Sequence, residues 1–77
     1  MMRFQDIIEQ YLDSDSYIHT YLICEGETQN KLKVNSFVSE TENYLIITTT
    51  NETEHLIIKN KIISIYSTVK PGVTFLN

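Results

Sequence analysis

Several residue types are scarce in this chain, and each shortage removes a class of function. One cysteine, Cys24, among 77 residues allows neither an internal disulfide nor a thiolate cage for a metal. Two glycines, Gly26 and Gly72, are too few for the glycine-rich loops that cradle phosphates in dinucleotide sites and P-loops. Apolar runs such as Leu56-Ile57-Ile58 are far too short to span a bilayer. Basic residues number six against ten acids, a net charge of −4, which argues against electrostatic capture of DNA or an anionic membrane. The opening residues 1–6 contain no apolar segment of the signal-peptide kind, so a cytoplasmic, reducing setting is expected. Alanine is absent whereas isoleucine occurs eleven times, a balance that favours strands over a helical bundle.

The residues present describe a small folded domain. A hydrophobic content of 42% with 21% charged residues fits a globular chain and not a disordered tail. A domain this small buries a limited fraction of its apolar surface, and oligomerisation is a common remedy where disulfides and metals are missing. The charge is also uneven. All ten acids lie in residues 1–54 against Arg3, Lys31 and Lys33, whereas residues 55–77 carry Lys59, Lys61 and Lys70 and no acid. Such a split allows a locally basic face on an acidic protein, although a small chain can also show it by chance.

Periodicity divides the chain into one helix and five strands. Phe4, Ile7, Ile8, Tyr11 and Leu12 recur at helical spacing, with Asp6, Glu9 and Gln10 on the other side, so residues 3–12 read as a helix ended by Asp13-Ser14-Asp15-Ser16. Strands are expected at Tyr17–Cys24, Lys31–Ser39, Tyr44–Thr50, Glu54–Ile58 and Ile62–Val69. A slip in alternation near Ser36-Phe37 predicts a bulge in the second strand. Turns fall at Glu25-Gly26-Glu27, Glu40–Asn43, Asn51-Glu52 and Lys59-Asn60-Lys61, and Pro71-Gly72 ends the last ladder. The expected fold is therefore mostly β (α+β): an N-terminal helix and then a five-stranded, strongly bent antiparallel sheet or small barrel, one domain over residues 1–70 with a tail at 71–77.

Catalytic constellations are thin. His19 and His55 fall in different strands with no metal-ligand spacing, and Cys24 closes an apolar run as a structural thiol does. Asp13/Asp15, Glu25/Glu27 and Glu40/Glu42 all flank turns and read as solvated turn carboxylates. No enzyme, cofactor, metal site or small-molecule substrate is expected.

The order of elements and a few local strings resemble the Sm-like fold, and specifically the bacterial Hfq family. The strings are Phe4-Gln5-Asp6 at the helix start, Thr20-Tyr21-Leu22-Ile23 with Gly26, Val34-Asn35-Ser36-Phe37, Tyr44-Leu45-Ile46-Ile47, and Leu56 through Ile65 around Lys59-Asn60-Lys61. The likeness covers residues 4–70. It implies a ring, usually of six subunits, in which the fourth strand of one subunit pairs with the fifth of the next. It also implies that U-rich single-stranded RNA binds around the pore on the helix-bearing face, in post-transcriptional regulation. Carried over by position, Gln5 would bond a uracil edge, Tyr44 would stack on the base, and Lys59 would meet a base oxygen or phosphate. Asn60 stands where the family has histidine, beside Lys61.

The chain also departs from the family pattern. Ile58 replaces an aromatic before the lysine, the turn at Ser39–Asn43 is longer, and Leu32 stands near an expected glycine. Asp13-Ser14-Asp15-Ser16 occupies the place of an arginine-rich rim, where carboxylates repel phosphate. Leu22 holds the position of an adenine-stacking tyrosine on the opposite face. These departures leave a second expectation open, an Sm-like oligomeric scaffold for protein–protein interaction that has lost RNA chaperone activity.

Overall fold

The computed structural model describes residues 3–26 and 30–72. Helix α1 spans Phe4–Asp13, followed by strands β1 (Tyr17–Cys24), β2 (Asn30–Glu40), β3 (Tyr44–Thr49), β4 (Glu54–Ile58) and β5 (Ile62–Val69), with a 3-10 turn at Lys59–Lys61 between the last two. All strand pairs are antiparallel, in the order β4-β3-β2-β1-β5. This is the helix-then-five-strand α+β fold expected, in an arrangement consistent with an Sm-like one. The strands β1, β4 and β5 begin and end where periodicity puts them, β2 extends one residue further at each end, and β3 stops one residue sooner. The tail residues 73–77, with Glu27 of the first turn, lie outside the described residues.

Strand β2 explains how one sheet bends around a single core. Its first half pairs with β1, through Cys24↔Asn30 to Thr20↔Val34, and its second half pairs with β3, through Val34↔Thr49 to Glu40↔Leu45. Two register shifts interrupt the second half, one between Val34 and Ser36 and one between Phe37 and Ser39. Each adds a residue to β2 and so reverses which side of the sheet the following side chains face. The first shift is the expected slip and turns Phe37 against the core. The second has no counterpart in the sequence pattern, and it returns Glu40 to the side on which Val34 is buried.

The core forms where α1 lies across this inner side. Ile8 and Leu22 are fully buried with Leu45 and Ile47, and Val34, Ile57 and Cys24 complete the cluster. Phe4 and Leu12, on the same stripe of α1, pack against it. Thr20 is the one buried polar residue of the described core, and its hydroxyl is satisfied by Ser67 Oγ at 2.6 Å across the β1–β5 pair. The tip of the β3–β4 hairpin holds Glu52 at φ 60°, the left-handed conformation expected of the turn at Asn51-Glu52. Pro71-Gly72 follows β5, with Gly72 at φ 88°, a conformation that suits glycine. No helix among the described residues is long and apolar enough to cross a membrane.

Removing the side chain at the centre of this cluster tests the packing. Leu22→Ala leaves a cavity between α1 and β1 and is expected to cost about 2–5 kcal/mol in chemical denaturation. A loss below ~1 kcal/mol would mean that the helix does not seal the sheet.

Candidate functional site

The site is built around the first turn of α1. A helix begins with amide N–H groups that have no partner within the helix, and a short acceptor side chain at the N-cap usually satisfies one. Here the N-cap is Arg3, whose guanidinium has no acceptor. The carboxylate comes instead from the far end of β2. Glu40 Oε1 accepts from Gln5 N at 2.8 Å, and Oε2 accepts from Phe4 N at 3.3 Å. The same Oε2 receives the Lys59 ammonium at 2.6 Å. Glu40's side chain is only 4% exposed and Lys59's 23%, so this ion pair is largely shielded from solvent. The Lys59 ammonium also lies 5.8 Å from the centre of the Phe4 ring.

Each element contributes one part. The second bulge of β2 aims Glu40 inward, and α1 presents its amides to it. The β3–β4 ladder continues one step beyond the strands, with Lys59 N donating to Asn43 O at 2.9 Å, which fixes the 3-10 turn beside the helix start. Burial alone pushes the Glu40 carboxyl up, but the bonds from Lys59, Gln5 N and Phe4 N outweigh it and hold the group below the ordinary glutamate value.

The residues expected at the pore are therefore partly assembled within one chain. Gln5 and Lys59 meet through Glu40, with the Gln5 side chain donating to Glu9 Oε1 at 3.3 Å. Asn60 and Lys61 are exposed on the 3-10 turn next to them. Tyr44 pairs with Ile58, and alternation with buried Leu45 turns it to the other side of the ladder. Glu40 reads from sequence as a turn carboxylate, and its place at the centre of this candidate site is what sequence reasoning misses. Its one sequence signal is negative, the lack of a capping residue at Arg3.

A second cluster occupies the outer side of the sheet. Leu22 is buried, so alternation turns Tyr21 outward, and its ring lies 5.3 Å from Tyr66 on β5 at an interplanar angle of 34°. Lys31 Nζ stands 4.3 Å over Tyr21 and 5.8 Å from Tyr66, and His19 approaches Tyr21 edge-on at 6.2 Å. The hydrogen bond with Tyr66 raises the Lys31 pKa. Elsewhere among the aromatics, Phe37 packs on the core and Tyr17 meets Tyr11 edge-on.

His55 and His19 sit apart on β4 and β1, with His55 Nε2 and Thr49 Oγ1 3.4 Å from each other. No group of three or more potential metal ligands occurs among the described residues. Burial raises the Cys24 thiol pKa, which keeps it protonated at neutral pH. A groove of about 500 Å³ runs beside β4, between Leu56–Ile58 and the β1–β2 end at Cys24, Lys31 and Leu32. No family model matches the chain, and neither a curated protein nor a solved structure matches it.

The depressed Glu40 pKa fixes the sign of a pH effect. A carboxyl that ionises more easily in the folded state stabilises it above the ordinary value of 4.5, and this contribution disappears as pH falls through the lower folded value. Denaturation of the wild-type chain is expected to show an acid loss below about pH 4.5 that is smaller in Glu40→Gln. Identical pH profiles for the two proteins would show that Glu40 does not hold the helix start.

Proposed function

We propose that this chain is an Hfq-like ring protein that binds U-rich single-stranded RNA at the pore, on the face that carries α1. The observation that supports the reading most is the position of the 3-10 turn. Strands β4 and β5 are the two edges of the sheet, and Lys59–Lys61 joins them. Both edges carry exposed apolar side chains, Leu56 (56%) and Ile58 (45%) on β4 and Ile63 (51%) and Val69 (45%) on β5. Unpaired edges of this kind favour strand addition. Head-to-tail pairing of β4 with the β5 of the next copy closes into a ring when the rotation allows, and it brings every copy's turn to an interface. Gln5, Lys59, Asn60 and Lys61 then repeat around one axis, and modest contacts multiply by avidity.

The chemistry suits splayed single strands better than duplex. Base edges need neutral donors and acceptors, which the amides of Gln5 and Asn60 provide. The net charge of −4 per chain restricts any polyanion to this local region. The alternative, an Sm-like protein scaffold without RNA chaperone activity, is favoured by the Glu40–Lys59 pair, which neutralises the nearest cation.

Native mass is the first test. Light scattering is expected to give about six times the 9.0 kDa chain mass, and Leu56→Lys with Ile58→Lys is expected to reduce it. A clean wild-type monomer would remove the pore and leave a small interaction module. In fluorescence anisotropy with oligo-U, Gln5→Ala is expected to weaken binding roughly fivefold or more, from loss of about 1 kcal/mol per hydrogen bond. Unchanged affinity would remove Gln5 from the site, and absence of wild-type binding to oligo-U would favour the scaffold.

A further inference from the structure

We infer that Glu40 is the specificity-determining residue of the proposed RNA site: by neutralising Lys59 it makes the lysine a reader of base carbonyls and withholds it from phosphate. The inference rests on the reading above and deepens it. A lysine at a nucleic-acid site ordinarily acts as a compact point charge, and phosphate is its preferred partner. Lys59 differs because a carboxylate oxygen already lies 2.6 Å from its ammonium. At that separation the two charges cancel for any ligand more than a few ångströms away.

The carboxylate cannot readily yield its place. Two backbone amides of α1 hold it in addition to Lys59, and its side chain is 4% exposed. Freeing the lysine would strip the first turn of α1 of its acceptors and leave a shielded carboxylate without its cation. A phosphate approaching Lys59 would also meet the Glu40 charge. The ammonium nevertheless has three donors and spends one on Glu40, so a neutral acceptor such as the carbonyl oxygen of uracil is accommodated without charge conflict. The donor of the pair is part-exposed at 23% while the acceptor is shielded, which is the order needed for a ligand to reach the nitrogen first. Lys59 therefore chooses among ligands by base edges, which leaves Lys61 as the exposed cation of the turn.

Salt dependence separates this from an ordinary phosphate-binding lysine, because each phosphate neutralised on a single strand adds about 0.7 to the slope of log affinity against log salt. Oligo-U binding is measured by anisotropy across a salt series for the wild-type ring, Glu40→Gln and Lys59→Met, with inorganic polyphosphate as competitor. In Glu40→Gln the freed ammonium is expected to tighten binding severalfold at low salt and to make polyphosphate an effective competitor. The slope is expected to steepen by about 0.7 for every phosphate that the freed lysine neutralises. The wild type and Lys59→Met are expected to share one shallow slope, with weaker binding in Lys59→Met.

Wild-type binding that Glu40→Gln leaves unchanged in affinity and slope would overturn the inference and leave the RNA reading intact. So would a steep wild-type slope that Lys59→Met flattens, a comparison that serves even if Glu40→Gln folds poorly. Failure of both the wild type and a folded Glu40→Gln to bind would overturn the inference and the RNA reading together.

Discussion

The contact on which the arrangement depends is one carboxylate with three donors. Glu40 ends β2, yet it completes α1 by accepting from the Phe4 and Gln5 amides, and it anchors the 3-10 turn by pairing with Lys59. A ten-residue helix is marginal in water alone, so its position has to come from packing and from satisfied ends. The apolar stripe at Phe4, Ile8 and Leu12 seats the helix on the sheet, and Glu40 sets where it begins. The helix start and the turn between the edge strands are held in one geometry as a result.

Two bulges make this contact available. Along an uninterrupted strand, Val34 and Glu40 would face inward and Phe37 outward. With one bulge, Phe37 would turn in and Glu40 would be left in solvent. With two, Val34, Phe37 and Glu40 all serve the inner side while the strand coils around the core. The irregularity of β2 is thus what lets one strand contribute to the core, to the bend and to the site.

The sequence is legible wherever a pattern is local. Alternation and fully apolar runs mark the strands β1, β4 and β5 to the residue, and Asp13-Ser14-Asp15-Ser16 marks the end of the helix within one position. The second bulge escapes because Val38-Ser39-Glu40 carries no break in polarity that distinguishes it from the approach to a turn. Glu40 escapes because its partners lie 35 and 36 positions back and its cation follows on the 3-10 turn after β4, so no spacing rule joins them. The outer platform is hidden for a similar reason. Tyr21, Lys31 and Tyr66 belong to three strands, and they meet only because β1 lies between β2 and β5. Gln5, Tyr44, Lys59, Asn60 and Lys61 are singled out by the family resemblance alone, and it does not name the neutralising partner of Lys59.

The placement of β5 beside β1 has a kinetic consequence. The pairs β1–β2, β2–β3 and β3–β4 are hairpins between neighbours in sequence and can form soon after each second strand is made. The β1–β5 pair instead joins residues as distant as Tyr17 and Val69, 69 − 17 = 52 positions apart. Closing so long a loop is the slow, entropically costly step of assembly. During synthesis β1 therefore waits with one edge unpaired until β5 has emerged. The apolar β5 that would fill this gap is also the strand offered to a neighbour in the proposed ring, so folding within a chain has to precede assembly between chains.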